Sequence, residues 1–335
     1  MHSRSKTQPH TSITRRTLLG TIGSAIVAGR ISAQAPAPSG TTVRVKGPAV
    51  WLDMNQKELD DAYTQSVYAP NMQQVIERAA TTSDATRRRL GEPRRFSYGQ
   101  TPIESLDVYV TSRPNAPVNI HVHGGAWQAG SAKVSAFPAD LFVKAGAHYV
   151  VLDFINVLEA EGHLATMIAQ VRAAIAWVYR NAQIFGGDRD RLYVSGHSSG
   201  AHLASVVLTT DWQQEFGLPA NLMKGALLCS GIYDLRPVRL SVRSNYVKFT
   251  DAVERDFSAQ RHVDRIGCSV VVAYGTFETP EFQRQARDFF AALQAAGRPA
   301  RLLVGEGYNH FEILETLANP YGLLGHAVLE QMNLL

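Results

Sequence analysis

The sequence of 335 residues holds only two cysteines, which allow at most one disulfide. No internal repeat or low-complexity block stands out, so neither a repeat architecture nor a biased linker is expected. Beyond residue 35 no apolar run is long enough to cross a bilayer. A basic surplus is missing from that part of the chain too. The whole sequence carries 33 Lys and Arg against 29 Asp and Glu, formally +4. Five of those bases (Arg4, Lys6, Arg15, Arg16 and Arg30) and no acid lie in residues 1–35, which leaves −1 for the remainder. Without a concentrated basic surface, no nucleic-acid partner is expected. At 45% apolar content the chain can bury one large core or two modest ones.

The first 35 residues read as an export signal. Thr14-Arg15-Arg16-Thr17-Leu18-Leu19 sets an arginine pair before the apolar run Leu18–Ala28, and Ala33-Gln34-Ala35 gives a small-x-small cleavage pattern ahead of Pro36. The paired arginines point to the twin-arginine machinery as a partner of the precursor. That route carries folded proteins, so the expected product is periplasmic or secreted and starts near Pro36.

Residues 36–90 read as a Pro- and Gly-rich lead-in followed by a helical cap segment, with helical spacing over 56–68 and 71–89. From residue 91 onward short apolar runs alternate with helical patterns. Strands are expected over 106–110, 118–122, 148–154, 192–195, 226–229, 270–274 and 301–304. Helices are expected over 163–181, 201–210, 281–296 and 311–331. This rhythm predicts an α/β fold, a mostly parallel sheet with helices on both faces. The leading alternating strand suits an antiparallel edge. Residues 236–262 break the rhythm and predict a helical excursion over the sheet's carboxyl edge. Cys229 and Cys268 fall near opposite ends of neighbouring strands. Three or four residues at about 3.3 Å each separate them by roughly 10 Å or more, beyond disulfide reach, so both are expected free and partly buried.

In such sheets the chemistry sits at the carboxyl ends of the strands. Leu192-Tyr193-Val194-Ser195 runs into Gly196-His197-Ser198-Ser199-Gly200, and a helix follows. A sharp strand–helix turn of this kind lifts a serine hydroxyl to a helix amino end, which makes Ser198 the expected nucleophile. His123-Gly124-Gly125-Ala126-Trp127 follows another strand, and its glycines let backbone N–H groups approach a substrate. The N–H groups of Gly125, Ala126 and Ser199 are the expected oxyanion donors, with the first two interchangeable by one residue. His123 reads as a brace for this loop.

A serine needs a base and the base an acid, in the chain order Ser, acid, His. His202 lies on the helix after the nucleophile, His262 in the excursion and His326 deep in the last helical pattern. His310 follows a strand through Gly305-Glu306-Gly307-Tyr308-Asn309 and is the expected base. Glu278, in the loop after the strand over 270–274, is the expected acid. Glu281, behind Pro280 in the first turn of a helix, is the fallback and reads more simply as a capping group.

Four segments resemble the kynurenine formamidase (arylformamidase) branch of the α/β hydrolases, close to the hormone-sensitive-lipase-like carboxylesterases. They are His123-Gly124-Gly125-Ala126-Trp127, Gly196-His197-Ser198-Ser199-Gly200-Ala201-His202-Leu203, Ser230-Gly231-Ile232-Tyr233-Asp234-Leu235 and Glu278-Thr279-Pro280-Glu281-Phe282. Glu58-Leu59-Asp60-Asp61-Ala62-Tyr63 is similar to that branch's amino-terminal helix. The likeness covers about residues 51–331. The branch usually has Asp where this chain has Glu278, and its members in tryptophan breakdown act inside cells.

The expected reaction is acyl transfer to Ser198 and hydrolysis of the acyl-enzyme, with no metal or organic cofactor. The expected substrate is a small molecule, an ester of small or aryl type; an aryl formamide or amide is the alternative, and a non-catalytic binding protein on the same scaffold is a third reading. Trp127, Phe154, Tyr233, Phe277 and Tyr308 are expected to line the acyl pocket. Arg236, Arg239, Arg243 and Lys248 in the excursion read as a solvated charged face. Oligomeric state is not legible.

Overall fold

Eight strands, all but Arg94–Ser97 carrying Val, Ile, Leu or Tyr, pair into a single sheet in the computed structural model, which describes residues 46–335. The expected export signal over residues 1–35 lies outside the described residues. The strands are β1 (Arg94–Ser97), β2 (Ser105–Tyr109), β3 (Ala116–Val122), β4 (His148–Leu152), β5 (Gly187–His197), β6 (Met223–Cys229), β7 (Ser269–Gly275) and β8 (Ala300–Gly305). Their order across the sheet is β8-β7-β6-β5-β3-β4-β2-β1. Pairs from β3 to β8 are parallel, and β2 runs antiparallel to both β1 and β4.

Side chains alternate between two cores. Val118, Ile120, Val122, Val194, Leu228 and Val272 face one way and pack with α4 (Leu164–Asn181), α5 (Ser199–Leu208) and α8 (Pro280–Ala295). Tyr149, Val151, Tyr193, Leu227 and Ala273 face the other way and pack with α3 (Ala139–Ala145) and α9 (Leu323–Gln331). Central strands with both faces covered carry apolar residues at consecutive positions, which is why they read as runs. Each such buried side chain contributes about 1.5–3 kcal/mol.

Residues 46–335 form one compact unit, so the segment before residue 91 shares its core with the sheet. In that segment α1 (Gln56–Ala62) is closed by a capping box between Asn55 and Glu58. It buries Leu59 and Tyr63 against the first core. The long α2 (Met72–Leu90) lies over the carboxyl edge with Val75 buried. The excursion is helical, with α6 (Leu235–Leu240) and α7 (Asp251–Phe257).

Three sequence expectations need correction. The alternating strand β2 is second from the edge, not at it; the edge is β1. Its sequence Arg94-Arg95-Phe96-Ser97 has one apolar residue and escapes a hydrophobic pattern. Its Arg95 nevertheless holds the buried Asp107 of β2 at 2.7 Å and Asp153 at 2.6 Å. The expected helix over 311–331 is broken into Glu312–Glu315 and α9, because Pro320 forces Asn319 into an extended conformation (φ −121°, ψ 125°). Cys229 and Cys268 are free, as expected, but both are buried, at 1% and 8% exposure, where partial burial was expected.

Candidate active site

Ser198 sits between β5 and α5 with φ 57° and ψ −127°, a conformation that costs a non-glycine residue roughly 1–3 kcal/mol. The surrounding structure holds it there. The Ser198 N–H donates to the Cys229 carbonyl at 2.9 Å. Gly200 lets α5 start against the end of β3: a Cβ there would lie 2.1 Å from the Val122 carbonyl oxygen. The strain faces the hydroxyl outward, above the sheet's carboxyl edge.

The loop after β8 brings His310 to this hydroxyl. Ser198 Oγ lies 2.9 Å from His310 Nε2, and His310 Nδ1 lies 2.9 Å from Glu278 Oε2. A carboxylate only accepts, so Nδ1 carries the proton and Nε2 accepts from the serine hydroxyl. The Glu278 side chain is fully buried. Its Oε1 accepts from the Ser230 hydroxyl at 2.6 Å and from the Gly275 N–H at 2.7 Å. Gly275 must be small, because a Cβ would lie 2.2 Å from the Tyr308 carbonyl oxygen of the histidine loop. Glu281 lies apart from this cluster. It is ion-paired with Arg284 at 2.7 Å and accepts from the Tyr63 hydroxyl at 2.9 Å.

The His310 ring is caged by Phe282 and Phe311 at centroid distances of 4.9 and 5.1 Å. His197 supports it from below: its Nε2–H donates to the His310 carbonyl at 2.7 Å. Burial first, and then the neighbouring His310, hold His197 well below the ordinary histidine range, so it stays neutral.

The glycine loop lies opposite. Gly125, Ala126 and Trp127 have φ of 122°, 56° and 63°. The Trp127 N–H donates to Ser199 Oγ at 3.1 Å. The N–H groups of Gly125, Ala126 and Ser199 donate to no protein acceptor among the described residues, which leaves them free for an oxyanion. His123 stacks on Phe154 at 4.4 Å, its Nδ1–H donating to the Gly124 carbonyl, and burial lowers its pKa.

A cavity of about 580 Å³ opens onto Ser198 and His310, a size that suits a small molecule. The five aromatics expected to line it do not. Trp127 and Phe154 face a separate cavity of about 240 Å³ behind the glycine loop. Positive φ and the bond to Ser199 turn Trp127 inward, where its indole N–H donates to His202 Nδ1 at 3.3 Å. Tyr233 is buried against Phe289, and Phe277 and Tyr308 point to solvent. The walls instead come from α2 (Met72, Val75, Ile76), from Phe137 and Phe311, and from Tyr63, Gln65, Arg243 and Tyr246. The spacing Met72, Val75, Ile76, Ala79, Ala80 was the available signal, an apolar stripe that reads equally as a packing face. Arg236 and Arg239 are ion-paired with Glu254 at the surface, as a solvated face requires, but Arg243 is buried.

The strand order, the elbow at Ser198 and the facing glycine loop define a protein of the α/β-hydrolase class. The BD-FAE family model matches residues 106–309. The kynurenine formamidase of Danio rerio is 32% identical over 295 residues, covering 84% of this chain and 98% of that protein. Esterase LipC of Mycobacterium tuberculosis is 31% identical over 232 residues, 63% of this chain and 57% of its own. The structure of esterase B from Lactobacillus rhamnosis has a TM-score of 0.63 at 15% identity, covers 81% of this chain and 96% of that one, and supports the fold alone. The chain belongs to the BD-FAE family of α/β hydrolases, within the group of kynurenine formamidases and carboxylesterases, and is a hydrolase.

Proposed function

We propose that this hydrolase is an exported serine esterase that opens a small or aryl carboxylic ester through Ser198, His310 and Glu278. The observation that carries the reading is the unbroken relay of two 2.9 Å contacts from buried carboxylate to serine, facing an apolar cavity. Ser198 Oγ attacks the carbonyl carbon while His310 Nε2 takes its proton. The N–H groups of Gly125, Ala126 and Ser199 receive the oxyanion, each donor contributing about 3 kcal/mol to the transition state. Collapse expels the alcohol, protonated by His310, and leaves an acyl-serine. Water, deprotonated by His310, then releases the acid. Glu278 keeps Nδ1 protonated throughout and stabilises the imidazolium.

The export pattern at Arg15-Arg16 and Ala33-Gln34-Ala35 supports an ester over an intracellular metabolic formamide. The identity to a kynurenine formamidase favours the second reading, an aryl formamide. Turnover of 4-nitrophenyl acetate and N-formylkynurenine by wild type and Ser198→Ala separates them. The ester reading expects the higher kcat/KM on the acetate; the reverse order overturns it in favour of the formamide. For export, Arg15→Lys with Arg16→Lys is expected to retain the precursor in the cytoplasm of a host with twin-arginine transport, and a mature amino terminus away from Pro36 contradicts the cleavage site.

A further inference from the structure

Asn71 stands at the amino cap of α2, where an asparagine usually accepts a hydrogen bond from an N–H of its own helix. Here its side chain makes no such cap bond. It reaches instead to the segment that carries the base. Asn71 Nδ2 donates to Glu312 Oε1 at 2.6 Å, and Asn71 Oδ1 accepts from Asn309 Nδ2 at 2.8 Å. Glu312 Oε2 accepts from the Asn309 N–H at 3.2 Å, which closes a ring through three residues. The amide orientations follow from the chemistry. A carboxylate only accepts, and Asn309 Oδ1 is already taken by the N–H groups of Phe311 and Glu312 at 3.0 and 3.1 Å.

Asn309 is buried and directly precedes His310. With its amide fixed at both ends and its N–H held, it leaves the histidine little freedom to swing. Glu278 and His197 hold the base from the sheet side; Asn71 holds it from the cap segment. The same α2 lends Met72, Val75 and Ile76 to the cavity wall. A second tie joins α2 to the helix Glu312–Glu315. Arg78 binds Glu315 through bonds of 2.6 and 2.8 Å, about two turns further on, and touches nothing in the loop before His310.

Building on the triad reading, we infer that Asn71 is a positioning residue: through Asn309 it sets His310 Nε2 against the Ser198 hydroxyl, so that docking of α2 is coupled to the working of the base. Drift of about 1 Å at such a contact costs on the order of 100-fold in rate.

A swap of donor and acceptor tests this. Asn71→Asp keeps the shape of the side chain but sets an acceptor against Glu312. On an aryl acetate kcat is expected to fall about tenfold or more, with KM changed by less than about threefold. A merely loosened α2 would act in the opposite way, raising KM by opening the cavity wall. Combining Asn71→Asp with Glu312→Gln rebuilds the ring: the new amide at 312 donates to the new carboxylate at 71, and its oxygen still accepts from the Asn309 N–H. The double variant is expected to return kcat to within about threefold of wild type. Arg78→Met cuts the exposed second tie and is expected to keep kcat within about twofold. Hydrogen exchange over residues 305–311, read without substrate, is expected to quicken in Asn71→Asp and to recover in the double variant. An unchanged kcat and exchange in Asn71→Asp, a loss the double variant does not recover, a loss carried by KM alone, or an equal loss in Arg78→Met overturns the inference. Undiminished turnover by His310→Ala overturns the triad reading instead, and the exchange rates then decide the clasp on their own.

Discussion

Glu278 has one methylene more than the aspartate usual at its position in the resembled branch, and three donors hold that longer arm: His310 Nδ1, Ser230 Oγ and the Gly275 N–H. Glu278→Gln keeps the shape but removes the charge and the pure acceptor. It is expected to lower kcat by roughly 10³–10⁴-fold with little change in KM, measured on an aryl acetate. A loss below tenfold contradicts the assigned role. The choice between Glu278 and Glu281 was legible because Pro280 places the second glutamate inside a helix. The pocket was not legible residue by residue. Position on a carboxyl-edge loop says nothing of where a side chain points, and Trp127 is turned away by backbone strain that no pattern of residue types reveals.

At the scale of elements, Ser199 links the elbow to the glycine loop through the Trp127 N–H. Ser199→Ala leaves that buried N–H without its acceptor, at a cost of about 1–3 kcal/mol. The expected result is a lower melting temperature together with a lower kcat, since the loop also carries the free N–H groups of Gly125 and Ala126. An unchanged kcat contradicts the coupling. At the far edge, Arg95→Met strips the partner from the buried Asp107 and Asp153. Arg95 itself is half exposed, so the expected destabilisation is about 2 kcal/mol by urea denaturation, below the full value for a buried pair. No measurable loss contradicts it. The central strands announce themselves as apolar runs because both of their faces are covered. The edge strand Arg94–Ser97 does not, because its register rests on a guanidinium reaching buried carboxylates. The break before α9 was present in the sequence as Asn319-Pro320.

Across the whole molecule, four histidines are buried and neutral around the nucleophile's strand and helix. Burial lowers all four: His121 to about 3, His202 to about 4, and His123 and His197 by direction. His202 can meet its partners only as the neutral Nε2–H form, accepting from Trp127 and donating to the Phe257 carbonyl. In the unfolded chain these residues titrate near 6.5. Below that pH the unfolded state binds protons that the folded state refuses. The stabilisation is therefore complete above about pH 6.5 and is lost as pH falls towards the folded values, by roughly 1 kcal/mol per pH unit for each histidine. Melting temperature should fall steeply between pH 6.5 and 4.5, and a flat profile there contradicts the neutral assignment. Fluorophosphonate labelling of the folded protein, read by intact mass and peptide mapping, most directly tests whether this fold holds an activated serine. One adduct on Ser198, absent from Ser198→Ala and strongly slowed in His310→Ala, is the predicted result; folded wild-type protein that takes no label at Ser198 contradicts the account.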